Sequence, residues 1–169
     1  PKTNLPMKKI FFIIALSVIL PTSFFAQSKT ESQNIFAKSY DNVNDFEKIL
    51  DLKQVQALNT TLKTSEAKTG IKIIIITTSS ISPYSDLSDY SLELDKYLTS
   101  KLKIDASIII IMSKKMRQIQ VRGVDKLRNK LNDREIENIV SAYVIPELKK
   151  GDYYKGLQEG SNQITKKLE

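Results

Sequence analysis

Lys103-Ile104-Asp105-Ala106-Ser107 leads into four consecutive isoleucines, Ile108 to Ile111, then Met112, a basic turn, and Arg117-Gln118-Ile119-Gln120-Val121-Arg122-Gly123. Uninterrupted β-branched residues suit a strand covered on both faces. The second run alternates, with Ile119 and Val121 on one side, which suits a strand covered on one face only. Ser113 to Met116 is short enough to join the two as an antiparallel hairpin.

Working outward, Ile71 to Thr78 reads as another buried strand, and Asp86 to Leu102 as a helix burying Leu87, Tyr90, Leu94, Tyr97 and Leu98. Strand, helix and strand then make a βαβ crossover to which the hairpin adds an antiparallel edge. Upstream, the spacing of Leu52, Val55, Leu58 and Leu62 predicts a helix over 52–68, with Asp51 and Gln54 as a capping box and Gly70 as its stop. Downstream, a short helical turn is expected over 124–131. A helix over 133–143 follows, capped by Asn132 with Glu135, with Ile136, Ile139, Val140 and Tyr143 inward, and Pro146 ends or kinks it. A last amphipathic helix covers 152–168 through Tyr153, Leu157 and Ile164. The fold class is therefore α/β, a mixed βαβ sheet of about three to four strands sandwiched between helices.

At 169 residues the chain allows one domain plus a leader. Met7-Lys8-Lys9 followed by apolar Ile10 to Leu20 has the basic start and short hydrophobic run of a secretory signal. We expect a signal peptide over 7–26, cut after Ala26, with an uncleaved N-terminal anchor as the alternative. Residues 1–6 precede the plausible initiator Met7 and stand outside the fold. Residues 27–39, rich in Ser, Lys, Gln and Asn, read as a linker, and the domain is expected over 40–169. The protein is thus expected to be exported, periplasmic or otherwise extracytoplasmic.

Composition excludes several chemistries. With no histidine and no cysteine there is no Ser-His-Asp or Cys-His catalysis, no imidazole metal site and no disulfide. Any metal must be held by oxygen ligands, which favours calcium, magnesium or manganese over zinc or copper. The net charge of +7 falls to +4 once Lys2, Lys8 and Lys9 are set aside with the leader, a mild excess of positive charge. Nucleic-acid binding is not expected, since no recognised module or aromatic interleaving is present.

The chain from Val43 onward resembles the TPM domain, found in thylakoid-lumen proteins, bacterial envelope proteins and an animal receptor modulator. The pieces that carry the resemblance are Val43-Asn44-Asp45 leading to Leu50, and Thr69-Gly70 before the isoleucine strand. Asp105 stands before the next strand, Gly123 after the hairpin, and Leu131-Asn132-Asp133 opens a helix. Val144-Ile145-Pro146 and Gly151-Asp152-Tyr153-Tyr154-Lys155-Gly156-Leu157 complete the set. The resemblance implies a sheet between helices, an extracytoplasmic setting, and divalent-cation binding and phosphatase activity of some members. Others act as accessory factors for membrane complexes. Asp105-Ala106-Ser107 replaces the family's Asp-Asn-Gly, and Gly123-Val124-Asp125 its Gly-x-Gly.

Two sites and two functions follow as expectations. A hairpin brings Asp105 and Asp125 to one end of the sheet, Asp133 lies at a nearby helix start, and Asp45 is carried over from the family pattern. Together they could hold calcium or magnesium, or they are a helix-dipole partner and solvated loop acids. The opposite, carboxyl end carries Thr78, Ser79, Ser80, Ser113 and Lys114, which could hold a phosphate. Lys114, Lys115 and Arg117 form a basic hairpin tip that could touch phospholipid headgroups or an acidic partner, or simply solubilise the turn and blunt an edge strand. The favoured function is a divalent-cation-binding accessory module of the envelope, serving a membrane-protein complex. The alternative is a metal-assisted phosphatase, with Arg122 and Lys126 as the basic groups nearest the acids.

Overall fold

The structure is a computed structural model that describes residues 34–169 apart from Arg128. The expected signal peptide, the residues before it and the first part of the expected linker lie outside the described residues. Two parallel strands, β2 (Ile73–Thr77) and β3 (Ile108–Ser113), form the centre of the sheet, in register from Ile73↔Ile108 to Thr77↔Met112. The hairpin adds β4 (Gln118–Arg122) antiparallel to β3. On the far edge lies β1 (Val43–Asp45), parallel to β2, which completes a four-stranded sheet in the order β1-β2-β3-β4.

Period-two alternation sends successive isoleucines to opposite faces. Ile73, Ile75, Ile108, Ile110 and Met112 meet one core, built with helices α1 (Leu52–Thr69), α3 (Asp133–Ile139) and α5 (Tyr153–Leu168). Ile74, Ile76, Ile109 and Ile111 meet the other, built with helix α2 (Leu87–Lys101). That is why neither central strand alternates in sequence: both faces are buried. Asp51 with Gln54, and Asn132 with Glu135, form the two expected capping boxes, and Gly70 ends α1 in the left-handed conformation.

Three details depart from the sequence reading. The domain begins before residue 40, because Phe36 is only 3% exposed and its ring packs on Tyr84, Tyr90 and Tyr97 in the α2 core. Residues 35–169 make one compact unit. Leu52, expected inward, is 72% exposed because it opens α1 before the buried face begins at Leu58. Tyr143, also expected inward, is 43% exposed.

Its displacement has a local cause. The expected helix over 133–143 is α-helical only to Ile139, then passes through a π-helical turn, Val140–Val144, into α4 (Ile145–Lys149). Pro146 has no N–H to give to the carbonyl four residues back, so an α-helical run through it would lose a bond. The wider turn brings the Ile145 N–H to the Val140 carbonyl instead. One extra residue in the turn rotates Val144 inward, five places after Ile139, and carries Tyr143 out. Gly160 of α5 receives Val144 closely: a Cβ there would stand 2.7 Å from Val144 Cγ2.

Candidate functional site

The two ends of the sheet are built differently. At the carboxyl end, Asp45 closes β1 opposite Thr77. Its carboxylate accepts from the Ile49 N–H at 3.1 Å, the Leu50 N–H at 2.8 Å and the Thr77 hydroxyl. Thr77 Oγ1 in turn accepts from the Glu47 N–H at 3.1 Å. This ring of bonds fixes the 45–50 loop and presents the Glu47 carboxylate to the hairpin tip, where it accepts from the Lys114 and Lys115 N–H groups, each at 2.8 Å. Lys48 sits at φ +56° and Arg117 at φ +53°, left-handed conformations that cost a side-chain-bearing residue about 1–2 kcal/mol.

Around this scaffold lie two clefts that share Lys114, Arg117 and Tyr153. One, of about 550 Å³, is lined by apolar Met112, Ile119, Ile145 and Leu148 and by Lys149. The other, of about 520 Å³, is lined by Glu47, Lys48, Ile49 and Lys115 besides the shared three. Five cations thus line the clefts against a single acid, and that acid is already engaged by two N–H groups. Among the described residues, none of these five has a carboxylate within ion-pair distance of its side-chain nitrogen. Lys114 Nζ stands 5.1 Å from the centre of the Tyr153 ring, a cation–π contact. Thr78 bonds within its own loop, its hydroxyl donating to the Ser80 carbonyl at 2.7 Å.

At the amino end, Arg122 and Lys126 are matched by acids. Asp105, 84% exposed, has Lys126 Nζ 3.5 Å from its carboxylate, and the same ammonium donates to the Ala106 carbonyl at 3.2 Å and lies 4.0 Å from Asp95. Arg122 reaches Asp95 at 3.6 Å across the face that β4 turns toward α2. Asp95, the acid that organises these cations, gave no signal in the sequence beyond its place on the helix. Asp125 is exposed in the 3-10 turn Val124–Leu127, and Asp133 opens α3 beside Gln120 and Glu137. Gly123 is required here: at φ +95°, a Cβ would fall 2.2 Å from the Ser107 carbonyl oxygen.

The four acids expected to share a cation are therefore divided. Asp105 and Asp125 come to the amino end, while Asp45 lies at the carboxyl end, because β1 runs parallel to β2 and Asp45 is its last residue. Among the described residues, no three Asp or Glu side chains are close enough together to hold a metal ion. The oxygens around Asp105 that a cation would use already surround an ammonium. As placed, these residues do not fit a divalent cation.

Protonation is perturbed away from both ends. Burial raises the Tyr40 hydroxyl far above the ordinary phenol range, helped by Tyr90 and Tyr97, and burial also raises Tyr90. Asp41 is pushed up by burial but lowered overall by hydrogen bonds from Lys63 and the Asn42 N–H. Glu135 is lowered by the Asn132 N–H and by Lys167.

A four-stranded mixed sheet between helices, with a basic carboxyl end and acid-paired cations at the amino end, defines a small α/β domain. A family model described as the TPM domain matches residues 43–167, and the chain belongs to that family. Two solved structures share its fold. The N-terminal domain of a protein from P. gingivalis is 21% identical, with a TM-score of 0.65, covering 78% of this chain and 84% of that one. The N-terminal domain of the cg2496 protein from Corynebacterium glutamicum is 12% identical, with a TM-score of 0.57, covering 79% and 83%. No curated protein matches the chain.

Proposed function

We propose that this TPM domain is an accessory binding module of the cell envelope, docking the basic carboxyl end of its sheet on anionic phospholipid headgroups beside the membrane-protein complex it serves. The observation that carries the reading is the group of five cations, Lys48, Lys114, Lys115, Arg117 and Lys149, gathered from three separate parts of the chain without acidic partners among the described residues. Each cation near an anionic leaflet is worth about 1 kcal/mol, so several acting together give reversible, salt-sensitive attachment. Export, expected from residues 7–26, would put the domain where such a surface is available. Among the described residues no helix is long and apolar enough to cross a membrane.

The test is co-sedimentation of residues 27–169 with vesicles. Binding to vesicles containing anionic lipid, none to neutral ones, and release by salt support the reading. The metal-assisted phosphatase that the TPM resemblance implies for some relatives is the competing reading. Magnesium-dependent hydrolysis of a generic phosphoester, abolished by Asp105→Asn, would overturn the accessory role in its favour.

A further inference from the structure

We infer that the cleft between the hairpin tip and the α4–α5 corner binds a small amphiphilic anion, an acyl tail carrying a compact oxyanion head. The inference deepens the docking reading, because it uses some of the same cations, but it adds what a flat basic surface lacks. A cleft of about 550 Å³ is in the size range of small-ligand sites. It is lined by buried or half-buried apolar Met112, Ile119, Ile145 and Leu148 and by the exposed cations Lys114, Arg117 and Lys149, so one cleft offers both an apolar surface and positive charge. A headgroup held only by surface lysines would need no such apolar surface. A purely apolar ligand would leave three cations crowded together without neutralisation.

The backbone points the same way. Among the described residues, three other than glycine have positive φ, Lys48, Lys103 and Arg117, and two of them, Lys48 and Arg117, line these clefts. Glycine would satisfy either position without strain. At the tip, Arg117 closes the turn by donating its N–H to the Lys114 carbonyl at 3.2 Å, which any residue could do. A guanidinium at a strained position where glycine would fit points to a role for the side chain. Arg117 can grip two oxygens of one head side by side, while Lys114, over the Tyr153 ring, and Lys149 supply point charges.

The probe is decanoate below its micellar concentration, titrated into residues 27–169 and read by amide chemical shifts. Acetate supplies the head without the tail, and octyl glucoside a tail on an uncharged head. Decanoate should shift residues 113–119 and 145–153, and bind at least about 10-fold more tightly than either control, since burying a short tail is worth more than 1.4 kcal/mol. Arg117→Gly should weaken decanoate about 10-fold while leaving the melting temperature unchanged or higher, an outcome that a structural role for the arginine would reverse. Ile145→Asn should weaken decanoate but keep vesicle binding. Acetate binding as tightly as decanoate, or Arg117→Gly binding decanoate as the parent does, would overturn the inference. Vesicle binding by a domain silent to decanoate overturns this inference alone, whereas silence toward both overturns the docking reading with it.

Discussion

The amino and carboxyl ends of this sheet both carry cations, Arg122 and Lys126 at one and the hairpin tip at the other, and use them in opposite ways. At the amino end Lys126 and Arg122 face Asp95 and Asp105, so these four charges find counterparts inside the domain. At the carboxyl end the acids are spent on backbone N–H groups and on Thr77, which leaves the nearby cations without acidic partners among the described residues. Charges matched within a fold hold it together. Charges left over are available to something outside it.

The largest way to break the comparison is at the amino end, where Gly123→Ala would drive a methyl group into the Ser107 carbonyl at a positive φ. We expect a loss of about 2–4 kcal/mol in denaturant unfolding, from combined clash and backbone strain. Next comes the carboxyl end's own support. Asp45→Ala removes the acceptor of two backbone N–H groups and of buried Thr77. That should cost about 2–3 kcal/mol, and the amides of residues 47–50 should exchange faster. Among the described residues, Arg122→Ala leaves Asp95 with only the more distant Lys126, in a pair that is partly screened by solvent. About 1–2 kcal/mol is expected, measured by thermal unfolding, and adding Asp95→Ala should cost little more.

The smallest effect is in pH. The carboxyls of Asp41 and Glu135 have folded pKa values below their ordinary values of 3.8 and 4.5. A depressed folded pKa means the unfolded chain takes up the proton first as pH falls. Their contribution is therefore complete above about pH 5 and is lost as pH drops through 4 toward the folded values. Asp41→Asn with Glu135→Gln should flatten that part of the melting-temperature profile and leave neutral pH little changed.

Much of this architecture is legible in the sequence because it rests on local pattern. The unbroken isoleucines predict strands buried on both faces, Ser113 to Met116 predicts the hairpin, and the Asp51 and Asn132 boxes appear where their spacing puts them. What the pattern hides is either too short or too indirect. Three residues, Val43 to Asp45, are too few for a strand signal, and without β1 there is no reason to place Asp45 at the carboxyl end. Tyr143 reads as core because a 3.6-residue period was carried through a turn that Pro146 widens. Phe36 is one aromatic residue in a polar run. The basic clefts join Lys48, the hairpin tip and Lys149, which only the fold brings together. Of their cations, the tip alone is a visible cluster.

The central claim is that the unmatched charge is the functional charge, and equal charge reversals at the two ends test it most directly. Lys114→Glu with Arg117→Glu changes the carboxyl end, while Lys72→Glu, just before β2, with Lys126→Glu changes two acid-paired cations at the amino end by the same amount. In co-sedimentation with anionic vesicles, the first pair should abolish binding and the second should leave most of it. Equal losses from both pairs would mean that only net charge matters, and would contradict the account.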